Sequence, residues 1–246
     1  MREFGHELRR VAGVGQTDEE IAQRIRGIDS RETDRSLISD TDYHRLNHAI
    51  EGPLRYERGD HALAQILRRQ GFDGLPRLVD AEGMREAIDA GWIEMSRGVR
   101  RLQDVEEFKT GSLFPGQGAS GSGTYVHGRE PDSSEPDSAQ LREMAEHWAG
   151  DPWGDPGGVI RMAMHPDALR TDLRSLTAKR DEELESIRAE LEREPEKSAR
   201  RTELEEQMNV LSDVGRYAAI AGYDAYRVNN MYVWVVLNRT ALIVER

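Results

Sequence analysis

Residues 91–128 read GWIEMSRGVRRLQDVEEFKTGSLFPGQGASGSGTYVHG, and this stretch limits most tightly what the chain can build. A short apolar run ends on Ser96-Arg97-Gly98, and a glycine-dense segment then closes on Gly121-Ser122-Gly123-Thr124-Tyr125. Both parts suit an anionic ligand. An arginine fork is a permanently charged, bidentate clamp for a phosphate. Closely spaced glycines let backbone N–H groups approach a diphosphate without obstruction by Cβ. The remainder of the chain reads as a scaffold for that pocket.

At 246 residues the chain has room for one large domain, or one domain and an appendage. Charged residues make up 33% and hydrophobic residues 37%, so solvated helices should occupy much of it. A net charge of -12 disfavours nucleic acid, because a partner that neutralises phosphates needs a basic face. The chain has no cysteine, which removes disulfides and thiolate metal sites and suits an intracellular, cytoplasmic setting. The opening residues lack the apolar core of a signal peptide, and no run of about 18 apolar residues occurs. The expectation is a protein that neither crosses nor sits in a membrane.

Helices are predicted over residues 18–28, where Thr17 and Glu20 form a capping-box pattern, around Leu46, Ile50 and Leu54, and over residues 61–70, before the stop at Gly71. A helix over 81–90 runs into Gly91. Strands are predicted at 92–95, 108–114 and 124–126, then a polar loop, a helix over 138–148, a turn-rich loop, and a strand over 159–164. Leu169, Leu173, Leu176, Leu184, Ile187 and Leu191, followed by Leu204, Met208, Leu211 and Val214, mark a charged helical hairpin over about residues 166–214. Its predicted role is a projecting spacer or a dimer seam, separate from the pocket. Strands at 223–228, 232–237 and 241–244 complete an α+β chain, with a hairpin turn at Asn229-Asn230.

Two familiar motifs fail on context. Gly116-x-Gly118-x-x-Gly121 matches a dinucleotide fingerprint, but no strand precedes it and no helix follows. His44 and His48 lie one helical turn apart, yet Arg45 stands where a zinc protease needs its glutamate. No nucleophilic triad, kinase motif or P-loop is present.

Four segments together carry a resemblance. They are Ser96-Arg97-Gly98 after an apolar strand, the Gly121 to Tyr125 segment, residues 159–168 (VIRMAMHPDA), and Gly222-Tyr-Asp-Ala-Tyr226 followed by residues 232–242 (YVWVVLNRTAL). In this order they resemble ADP-ribosyltransferases, closest to bacterial and phage-borne members, including those fused to phage head proteins and toxins. The resemblance covers residues 72–246, with residues 1–71 a helical N-terminal region and the hairpin an insertion. It implies a split β-core with helices, and transfer of ADP-ribose from NAD, bound as a substrate, to a macromolecular acceptor such as a protein, with release of nicotinamide and no metal.

The same resemblance places Arg97 and Gly98 on the NAD phosphate and ribose. It places Ser122, Gly123, Thr124 and Tyr125 along the nicotinamide wall. The family's glutamate, at the start of the penultimate strand, hydrogen-bonds the ribose 2′-hydroxyl and stabilises an oxocarbenium-like centre. Here that position falls on Asn230 or Val233, depending on register, with Glu245 on the next strand as another carboxylate within the domain. Arg97, Tyr125, Asn230 and Glu245 are the candidate catalytic residues. The alternative is a non-catalytic module of the same fold in a phage particle or toxin complex. In either case the chain would work in a cytoplasm, in a host cell that receives it, or in a particle, and the hairpin is a candidate oligomer contact.

Overall fold

A computed structural model of the chain describes residues 55–56, 61–72, 74–110, 113–114, 116–129, 136–150, 156–228 and 232–246. The helices predicted at 18–28 and around Leu46, the His44/His48 pair, the turn at Asn229-Asn230 and most of the polar loops at 131–138 and 151–158 lie outside those residues. The described residues form an α+β structure with a mixed sheet.

In chain order the strands are β1 (Arg55–Tyr56), β2 (Arg77–Val79), β3 (Ile93–Val99), β4 (Leu113–Phe114), β5 (Gly116–Gly118), β6 (Gly121–Gly128), β7 (Gly158–Met164), β8 (Arg170–Asp172), β9 (Ala225–Val228), β10 (Val233–Val236) and β11 (Leu242–Glu245). The helices are α1 (His61–Gln70), α2 (Ala81–Asp89), α3 (Leu102–Thr110), α4 (Ser138–Glu146), α5 (Leu173–Leu191), α6 (Ala199–Ser212) and α7 (Val214–Ile220). Eight strands join in the order β2-β11-β7-β3-β6-β10-β9-β8, β5 folds back on β6, and β1 pairs separately with β4. Neighbours along the middle of the sheet are antiparallel, its edge strands β2 and β8 pair in parallel, and so do β1 and β4.

Side-chain chemistry fixes most of these boundaries. Asp80, Asp137, Asp172 and Asp213 each cap a helix by accepting a backbone N–H from its first turn, and at α4 Gln140 completes a capping box with Asp137. Asp213 also interrupts what the spacing predicts as one long helix. Its extended backbone ends α6, and its carboxylate starts α7.

One expected strand is a helix. Residues 108–114 read as strand from their aromatic ends, but Phe108 belongs to α3, and only Leu113 and Phe114 pair as strand. Leu102, Val105 and Phe108 recur every three residues, the helical signal that outweighs the local aromatic content.

A small cluster joins Met84 and Ala87 of α2 to Ala163 and Ile243, and the two larger cores lie on opposite faces of the sheet. One contains Ile93, Met95, Val99, Ile160, Met162, Val126, Trp234 and Val244, with Phe108 of α3 against them. The other joins Val235, Leu237 and Tyr226 to α1, α5, α6 and α7. This corrects the expected role of the hairpin. Leu176, Leu184, Ile187, Leu191, Leu204, Val210 and Leu211 belong to the second core, so the leucine seam that joins α5 to α6 is also packed against α7 and the sheet. α1 joins that core through Leu63, Ile66 and Leu67, and Gln70 Nε2 donates to Ala219 O at 2.8 Å. No described helix is long and apolar enough to cross a membrane.

Candidate functional site

β3 presents different chemistry on its two faces, because alternate residues of a strand point to opposite sides. Arg97 pairs with Ile160 and Ser96 with Arg161 across the β3–β7 ladder, so Arg97 points into the core that holds Ile160 and Phe108. Arg97 is 8% exposed, and its guanidinium carbon lies 5.6 Å from the centroid of the Phe108 ring, within cation–π range. Arg239, fully buried at 0% exposure, brings a second guanidinium carbon to 5.2 Å from the same centroid. Its Nη2 donates to Phe108 O at 2.6 Å.

Thr124 of β6 and Trp234 of β10 are also buried, and their strand neighbours place both on this face. Neither Thr124 Oγ1 nor Trp234 Nε1 hydrogen-bonds another described residue. Buried polar atoms of this kind call for a partner, whether ligand or water. The α3 face therefore gathers Arg97, Thr124 and Trp234 from three consecutive strands, with Phe108 and Arg239 beside Arg97.

Gly98 is where β3 meets α4. It faces away from Arg97, toward α4, where a Cβ would stand 2.0 Å from Ala145 O and 2.9 Å from Ala149 N. Glycine at this position lets the end of α4 lie directly on β3.

The glycine-rich strand is likewise occupied from within. Ser122 N donates to both Asp213 oxygens, at 3.2 and 3.0 Å, and Ser122 Oγ donates to Asp213 Oδ2 at 3.1 Å. The anion that this segment receives is thus the cap of α7. Gly121, at φ +104°, allows the approach, since a Cβ there would sit 2.8 Å from Gly215 N and 2.9 Å from Tyr226 Oη.

Tyr125 donates its hydroxyl to Gly121 O at 2.7 Å and accepts from Ser120 N at 3.0 Å. Its ring lies so close to Gly118 that a Cβ on that glycine would reach within 2.4 Å of it. Burial raises the Tyr125 pKa, the Ser120 N–H partly offsets this, and the negative charge of Asp213 adds to the rise. Tyr125 and Gly123 point to the α5–α7 side of the sheet, opposite Arg97.

Glu245 is also placed apart. Arg161 on β7 donates Nε and Nη2 to Glu94 Oε1, at 2.9 and 2.8 Å, and Nη1 to Glu245 Oε2 at 2.8 Å. Glu94 is 2% exposed, and its second oxygen accepts from Ser138 Oγ at 2.6 Å. Burial opposes the Arg161 charge, but the hydrogen bonds to Glu94 and Glu245 outweigh it and raise the pKa. Glu94, Arg161 and Glu245 form a charged ladder on the face opposite Arg97. β7, β3 and β6 stand between β11, which carries Glu245, and β10.

Of the sequence candidates, Arg97 and Thr124 share a face, while Gly98, Gly123, Tyr125 and Glu245 face the other way. Ser122 is spent on Asp213, and Asn230 lies outside the described residues. Val233, the other register, opens β10 opposite His127. Phe108 and Arg239 went unread, although Arg239 is the one basic residue in the run from Val233 to Val244. Arg161 gave the same signal, a single charge in the otherwise apolar or small β7, and Glu94 shares β3 with Arg97 as its only other charge. Comparison of the chain with protein-family models, curated proteins and solved structures returns no match.

Proposed function

We propose that residues 72–246 form an ADP-ribosyltransferase-like domain that binds NAD against the α3 face of β3, β6 and β10. One observation carries this reading. The four segments that bear the resemblance are separated in sequence, yet three of them supply β3, β6 and β10, consecutive strands of the sheet, and the fourth supplies β7, the other neighbour of β3. The β3–β6 joint supports a split core. It holds only two pairs, Met95↔Gly128 and Ser96↔His127, after which the strands part on the way to Arg97 and Thr124.

In the reaction, the bond between the nicotinamide nitrogen and ribose C1′ breaks and its electron pair leaves with nicotinamide. The acceptor nucleophile bonds to C1′ and gives up its proton. Arg97 would hold the diphosphate, and the Thr124 hydroxyl and Trp234 N–H would supply hydrogen bonds within a water-poor site, where positioning and fixed dipoles count most. The acceptor is a macromolecule such as a protein.

The second reading, a non-catalytic module of this fold, is favoured by the carboxylates. Val233 is apolar, and Glu245 is committed to Arg161 on the other face. Calorimetry with NAD, followed by an assay for free nicotinamide, separates the two. Binding with release carries the transferase, binding without release carries an NAD-holding module, and neither leaves only a structural module.

A further inference from the structure

Three contacts meet at Phe108. Its carbonyl belongs to the last turn of α3, where C=O groups lack partners within the helix, and Arg239 Nη2 supplies one at 2.6 Å. A cation at that end also suits the helix dipole. The ring of the same residue lies beneath both guanidinium groups, at 5.6 Å for Arg97 and 5.2 Å for Arg239.

Arg239 is itself held on a rigid base. Its backbone N–H donates to Phe72 O at 2.9 Å. The preceding Asn238 accepts from Thr240 N at 3.0 Å and donates to Asp224 Oδ1 at 2.6 Å. Burying an arginine completely is costly because the charge loses its hydration. An apolar side chain would fill the space but could not grip the carbonyl of a neighbouring helix.

We propose that Arg239 is a positioning residue for Arg97, acting through Phe108. By holding the end of α3, Arg239 fixes the ring against which the Arg97 guanidinium rests, and so sets the direction in which Arg97 presents its fork. The inference rests on the reading of Arg97 as the NAD clamp. It adds a dependence of that clamp on the segment after β10.

The experiment is a double-mutant cycle with two readouts, NAD affinity by calorimetry and thermal unfolding, on the parent, Arg97→Ala, Arg239→Met and the double variant. Arg239→Met is expected to weaken NAD about tenfold, equivalent to ~1.4 kcal/mol, and to have no further effect once Arg97 is gone. The two melting-temperature losses should fall short of additivity by about 2–4 °C. Arg239→Lys keeps the charge and should retain part of the affinity, and it carries the cycle if Arg239→Met does not fold.

An unchanged NAD affinity in Arg239→Met, or an equal fold-loss with and without Arg97, overturns the inference and leaves the NAD reading standing. If the parent does not bind NAD, that reading falls and unfolding decides the contact alone. Additive losses then overturn the coupling, and non-additive losses support it.

Discussion

The two faces of β3 hold buried charge in different ways. Toward α4, Glu94 is met by Arg161 at 2.8 Å and by Ser138 at 2.6 Å, so charge is paired across strands and tied to a helix N-terminus. Toward α3, Arg97 rests on the Phe108 ring, in a core of methionine, valine and isoleucine. A guanidinium with two carboxylates is a cross-strand fastener. On the other face the Arg97 guanidinium packs on an aromatic ring, a cation–π contact inside an apolar core. One strand thus carries a structural charge cluster on one side and a candidate anion clamp on the other.

The comparison breaks most completely if the helices behind the sheet are removable. Replacing α5 and α6 with a short Gly-Ser linker should abolish cooperative unfolding, since their leucines share a core with β9 and β10. Leu204→Ala alone should cost about 2–5 kcal/mol, read in denaturant melts. A deletion that stays folded and monodisperse would restore the hairpin to a separate insertion.

The charged ladder gives the next largest effects. Glu94→Gln should lower stability by about 2 kcal/mol, less than a fully buried pair would lose because the Arg161 side chain is 34% exposed. Glu245→Gln, on a carboxylate 26% exposed and with Glu94 still in place, should cost under about 1 kcal/mol. It should also leave nicotinamide release unchanged, whereas Asn230→Glu should raise release if residue 230 meets the ribose. Loss of turnover in Glu245→Gln would move the reacting centre to the α4 face.

Asp213 tests whether the glycine-rich segment serves the fold or a ligand. Asp213→Ala removes the α7 cap and the partner of Ser122, with an expected loss of about 2 kcal/mol. If the segment instead held phosphate, the same change would strengthen NAD binding by removing a competing carboxylate.

The smallest effect concerns His127, half-buried on the α4 side. Burial lowers its pKa, and His147 lowers it further. The unfolded chain therefore binds a proton more readily than the folded one, so this contribution to stability is complete above pH 6.5 and is lost as pH falls from there through the lowered folded value. His127→Gln should flatten that part of the stability profile, measured by thermal melts across pH.

Local rules made much of this legible in the sequence. Period and stop residues marked α1, α2 and α4, alternation marked β7, and β-branched and aromatic residues marked β10. What the sequence could not show was the side of the sheet each residue faces. Arg97 and Tyr125 read as members of one pocket because both adjoin glycines, yet a strand turns its side chains over at every residue, and register alone decides the face. The glycines themselves were ambiguous, since close approach of a helix and close approach of a phosphate demand the same missing Cβ. At Gly98 and Gly121 the approaching groups are Ala145 and Gly215. Arg239 was hidden because its partner, Phe108, is 131 residues away.

The most direct measurement is a calorimetric titration of NAD into the parent and into Arg97→Ala, with Arg97→Lys alongside. A clamp on the α3 face predicts that Arg97→Ala loses about 2–4 kcal/mol of binding, with Arg97→Lys recovering only part because a point charge cannot reproduce the fork. Equal NAD affinity in the parent and in a folded Arg97→Ala variant would contradict it.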